Sequence, residues 1–229
     1  MDLSPEQIRR VLIYVFVLLI SVALHEFGHA IMADRLGDDT PRRQGRVTLN
    51  PLAHADWVGT LLLPLVGSLY GAMTGVAGGF GWGKPVQWQP HRITRKVSMS
   101  TAKVLVAVAG PAMNVLLGVV LAAVHCLLMA QHVLTWSTGI GQILQFAVIT
   151  NFVLFFFNLL PVPPLDGGHV AQSFTPYRYR DQFDQFARFG PFVVLAFMLI
   201  PAMQVVVSWP AMHVAGYVYE GFGHLFGVA

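Results

Sequence analysis

Five stretches of the chain are nearly free of charge: residues 11–33, 57–83, 104–130, 139–165 and 189–219, with Glu26 the only acidic or basic side chain in any of them. Wound as a helix at about 1.5 Å per residue, each reaches across a hydrocarbon layer about 30 Å thick. The pattern predicts an all-α polytopic membrane protein with about four to six transmembrane segments. Stretch 57–83 stands apart because it is broken by Pro64 and by glycines at 59, 67, 71, 75, 78, 79, 81 and 83. It lies between two basic loops, one with Arg35, Arg42, Arg43 and Arg46, the other with Lys84, Arg92, Arg95, Lys96 and Lys103. Excess Lys and Arg marks cytoplasmic loops, so both loops belong on that side and 57–83 is expected to re-enter or bend twice rather than cross once. Arg178, Arg180 and Arg188 put 171–188 on the same side, and the uncharged connection 131–138 goes outside. This topology places Arg9 and Arg10 on the outer side. In "GRVTLNP", 45–51, alternation of polar and β-branched residues closed by Asn-Pro predicts a short β-hairpin.

Composition sharpens the picture. Charged residues make up 11% of the chain, against about 25% in a soluble domain. The net charge of +3 comes from basic loops and is explained by topology, so no nucleic-acid partner is expected. A lone cysteine, Cys126, excludes a disulfide framework and a cysteine-based zinc site. The first apolar stretch reads as a retained span, since no small-residue cleavage site follows it. No repeat or appended soluble domain is visible. The expectation is one domain, 1–229, with a core at about 8–170 and an interfacial segment and further span or spans at 171–229.

Inside the first apolar stretch stands "HEFGH", residues 25–29. His25 and His29 are four apart and project from one helix face. Two imidazoles so placed can hold one zinc ion, with Glu26 beside them to take a proton from water. Ionisable groups at membrane depth are costly and mark function. Catalytic zinc takes three protein ligands and keeps one position open. Among the few candidates for the third, Asp166 is the best: it ends an apolar run, precedes two glycines and falls on the cytoplasmic side with the late part of the first span.

"HEFGH" at 25–29, "AGPAMN" at 109–114 and "NLLPVPPLDGG" at 158–168 together resemble the site-2 protease family of intramembrane zinc metalloproteases. "GRVTLNPLAHADWVGTLLLPL" further resembles its compact prokaryotic branch. The resemblance implies one zinc per chain on His25, His29 and Asp166, Glu26 as general base, and Asn158 as a contact to the substrate carbonyl or its oxyanion. It also implies a three-helix core formed by the first span, 104–130 and 139–165. The family often has arginine after its Asp-Gly pair, where this chain has His169. His169 is therefore read either as a partner or competitor of Asp166, or as a solvated residue opening the next segment.

Other residues carry two readings each. Asn114 follows Gly110-Pro111 and favours helix packing. His54, with Asp56, either lines a water path to the metal or shapes the turn before 57–83. Arg46, Val47, Thr48 and Leu49 of the expected hairpin would hold an unwound substrate by edge pairing. The implied reaction is hydrolysis of a peptide bond in or beside a single-span segment of another membrane protein. The setting is a prokaryotic plasma membrane, with the active site facing the cytoplasm. A metal transporter would need polar sites across the whole membrane, whereas here they bunch on one side. An inert binder of the same fold would be expected to lack Glu26 or a ligand. A gating partner and the oligomeric state are not legible.

Overall fold

Ser4 opens the first helix, α1 (Pro5–Leu36): its hydroxyl accepts from the Gln7 amide, the Gln7 side chain returns the bond, and Pro5 sits where no donor is needed. Gly37 closes the helix in the left-handed region, at φ 110°, and its N–H reaches back to Ala33 and Asp34. A side chain at Gly37 would also run into Thr94.

The computed structural model describes residues 4–74, 81–94 and 97–228. They form two compact units, Met1–Arg95 and Lys96–Ala229. In the first, α1 is followed by two single-turn helices, α2 (Thr40–Arg43) and α3 (Pro51–His54). A π-helical turn, Trp57–Leu62, capped by the Asp56 carboxylate, runs into α4 (Leu63–Thr74). The apolar helix Trp57–Gly71 is about 22 Å long and too short to cross a bilayer by itself. Past it, the chain comes back to where it left. The Trp82 N–H donates to Gly59 O at 3.0 Å and the Thr60 hydroxyl to Trp82 O at 2.7 Å. The two ends of 57–83 therefore meet, as expected of a segment that turns back; Gly75, Gly78 and Gly79 lie outside the described residues.

In the second unit, α5 (Met99–Ala130) and α6 (Gly139–Asn158) pack along each other, with Ser98 and Thr138 as N-caps. α7 (Asp166–Phe174) lies on α5, and α8 (Arg180–Leu199) leads into α9 (Pro201–Phe226), which packs on both α5 and α6. Ala122, Val148, Phe152, Ala211 and Ala215 form the core. Gly118 admits the Phe152 ring, which would stand 3.2 Å from a Cβ there.

One expectation narrows and another fails. α1, α5 and α6 are long and apolar enough to cross a membrane, and a fourth crossing arises only if 177–197 and 201–226 count as one bent span. Among the described residues the candidate crossings number three to four, the lower end of the expected four to six, because the final apolar stretch is broken at Ile200–Pro201. The β-hairpin at 45–50 is absent, and no strand occurs among the described residues. Gly45 turns the chain at φ 68°, the Arg46 N–H donates to Pro41 O, and Thr48 O accepts from His54. The Arg46 N–H and the Thr48 carbonyl are thus bonded to the stretch's own neighbours rather than across a hairpin.

Candidate metal and catalytic site

His25 lies about 30 Å of helical rise beyond Pro5, in the second half of α1. Its Nε2 approaches that of His29 to 3.0 Å, and both rings are buried. Each Nε2 offers a lone pair when its ring carries the proton on Nδ1, and a cation placed between the two nitrogens accepts both. Tetrahedral zinc with Zn–N of 2.0–2.1 Å holds two ligand nitrogens about 3.4 Å apart. The pair fits such an ion.

Glu26 is half-buried beside them. Its Oε2 accepts the Val86 N–H at 3.2 Å. Gly83 makes the close approach possible: a Cβ there would lie 3.0 Å from Glu26 Cγ, 3.1 Å from Oε1 and 2.7 Å from Val22 Cγ1. His54 is fully buried. Its Nε2–H donates to Thr48 O at 2.9 Å, which leaves Nδ1 as an acceptor with no partner among the described residues. Burial holds this imidazole below its ordinary range, with the Arg46 charge acting in the same direction. The Thr48 carbonyl and the Glu26 carboxylate pull the other way and do not prevail. His54 is therefore neutral at neutral pH. Arg46, itself buried, donates to Ala53 O. Asp56 caps the turn after it through Val58 and Gly59, which favours the turn-shaping reading for that residue.

In the second unit, Asn158 is the last residue of α6 and Asp166 the first of α7. A side chain on Gly167 would strike the carbonyl of Leu159, and one on Gly168 would strike the backbone of Pro163, so these glycines let α7 start directly against the preceding turn. Asn158 uses one amide hydrogen on Leu154 O at 2.9 Å and keeps a second. His169 is exposed, its carbonyl accepting from Ser173. Asn114 is fully buried and donates to Asn151 Oδ1 at 3.0 Å across the α5–α6 contact. Asn151 in turn donates to Ala147 O. Sequence reasoning missed Asn151, although an amide inside an apolar run is a signal of its own. It also missed Val86, whose side chain carries no chemistry and whose contribution is a backbone N–H.

The family model described as peptidase family M50 matches residues 13–135 and 125–201. The chain is 34% identical over 203 residues to "Putative zinc metalloprotease YwhC" of Bacillus subtilis, covering 87% of this chain and 85% of that protein. It is 35% identical over 188 residues to "Putative zinc metalloprotease Rip2" of Mycolicibacterium smegmatis, covering 81% and 66%. The Rip2 protein of Mycobacterium tuberculosis is 36% identical over 151 residues, covering 65% and 52%. No solved structure matches.

Proposed function

Given that the chain belongs to peptidase family M50, the site-2 protease family, we propose that it is a zinc-dependent endopeptidase that cuts peptide bonds in or beside spanning segments of other membrane proteins. The observation that carries this reading is the His25–His29 pair with Glu26 between them, buried in an apolar spanning helix. In this reading His25 and His29 supply two ligands and Asp166 the third, for one zinc per chain. Residues 1–229 work as one catalytic domain in a prokaryotic plasma membrane. The basic loops 34–56 and 84–103 support a cytoplasmic active site, with 57–83 entering and leaving on that side.

Bound zinc supplies Lewis acidity, polarising a carbonyl and lowering the pKa of water. Glu26 takes the water proton at a carboxylate oxygen as the water oxygen bonds to the scissile carbon. It returns that proton to the amine as the C–N bond breaks. The remaining amide hydrogen of Asn158 donates to the carbonyl oxygen as negative charge grows there. A peptide inside a spanning helix has its carbonyls tied within the helix, so the substrate must unwind locally.

Glu26→Gln tests the reading. The variant keeps the size of the side chain and should retain zinc and bind a single-span substrate. Cleavage should fall about 10²–10⁴-fold. Cleavage at the wild-type rate with equal zinc content would overturn the proposal. A metal transporter has no need of a base beside the metal, and an inert binder has no cleavage to lose.

A further inference from the structure

Residues 81–89 carry no helix or strand, yet from 82 to 86 the backbone N–H groups are used with a period of two. The Trp82 N–H donates to Gly59 O at 3.0 Å and the Lys84 N–H to His54 O at 2.9 Å. The next donor on that side, the Val86 N–H, goes to a carboxylate oxygen of Glu26 instead of a backbone carbonyl. Successive groups of an extended chain point to opposite sides, so these three N–H groups form one row. Glu26 occupies its third place.

We propose that the segment 82–86 is a positioning element for Glu26: the row is anchored at Gly59 and His54, and Val86 N–H fixes Oε2 so that Oε1 is left for the reacting water. The inference rests on Glu26 being the general base. Three features support it. Gly83, between the first two rungs, leaves room for Glu26 Cγ and Oε1 that any side chain would take. Pro85 has no N–H, so a slip that brought residue 85 opposite the carboxylate would leave it without a donor. The rungs on His54 O and Gly59 O rest on the last residue of α3 and on the turn capped by Asp56, on either side of that cap, which gives the row a fixed footing. A carboxylate with one oxygen held by a backbone donor loses rotational freedom about its last torsion, and a base so held begins nearer its working geometry.

The test has a structural and a kinetic arm. Hydrogen exchange at the Val86 amide is compared between wild type and Glu26→Ala. Removing the acceptor should speed exchange at Val86 by about tenfold while Trp82 and Lys84, bonded elsewhere, keep their protection. Unchanged exchange at Val86 would overturn the proposal, as would equal loss at all three, which would signal melting of the segment. The kinetic arm uses Val86→Pro, which removes the N–H, Val86→Ala, which keeps it, and the double variant Gly83→Ala with Val22→Ala. In the double variant the Val22 contact is relieved while the crowding of Glu26 stays. kcat should fall about 10²-fold in Val86→Pro and in the double variant, with KM and zinc content held, and stay near wild type in Val86→Ala. Wild-type kcat in the double variant would overturn the proposal; that variant decides alone if Val86→Pro fails to load zinc. An active Glu26→Gln would instead remove the reading of Glu26 as base, so the two failures are distinct.

Discussion

His25 and His125 look alike along the chain: each is an imidazole in a long apolar helix, and each is buried. Their surroundings differ in kind. His25 meets a second imidazole at 3.0 Å with a carboxylate at the adjacent position. His125 meets a phenol and an indole: Nδ1 stands 3.1 Å from the Tyr219 hydroxyl, and its ring is edge-on to Trp136 and Tyr219 at centroid distances of 4.9 and 5.7 Å. The first environment gathers electron-pair donors and suits a cation. The second satisfies one polar atom and otherwise packs. A buried histidine therefore signals chemistry only when its neighbours are also ligands or bases.

Exchanging each histidine for alanine should separate the two regions most widely. His25→Ala is expected to lose zinc and all detectable cleavage. His125→Ala should keep both and lose about 1–3 kcal/mol of stability through the stranded Tyr219 hydroxyl. Zinc content, cleavage and thermal unfolding in detergent decide, and zinc loss in His125→Ala would break the comparison. The Asn114–Asn151 bond sharpens it further, because it is buried polar chemistry with no cation to serve. Asn114→Ala should cost about 0.5–2 kcal/mol, the range of interhelical hydrogen bonds in membranes. A double-mutant cycle with Asn151→Ala should return most of that as coupling. Coupling near zero would show that the helices do not rely on the pair.

The smallest expected effect concerns Asp38, just past the end of α1. Burial raises this carboxyl, but the Thr40 hydroxyl, the N–H groups of Gln89 and Thr40 and the Arg92 charge together hold it below its ordinary range. The folded state thus binds the proton less readily than the unfolded one. The stabilisation is full above about pH 4 and is lost as pH falls through the lower folded value. Asp38→Asn should flatten the acid limb of the unfolding curve and leave zinc content at neutral pH unchanged. An unaltered acid limb would show that Asp38 does not set it.

Much of this was legible along the chain. Apolar runs showed α1, α5 and α6, and the spacing of His25 and His29 placed both on one face. The hairpin expectation at 45–50 failed because alternation of Val47 and Leu49 with polar residues is also what a turn shows when Arg46 and Thr48 bond within their own neighbourhood. The count of crossings falls at the lower end of the expected range because hydropathy along the chain does not reveal that the final apolar stretch is broken between α8 and α9.

By itself the sequence determined what repeats over short distances. Helical periodicity aligns residues four apart whatever the rest of the chain does, and hydropathy over some twenty positions decides what can lie in lipid. Only the tertiary structure decided that Val86 reaches Glu26, 60 positions earlier, and that Gln89 reaches Asp38, 51 earlier. Those contacts are made by backbone N–H groups, which nearly every residue carries. No side chain marks which of them will be used; the path of the intervening chain selects it.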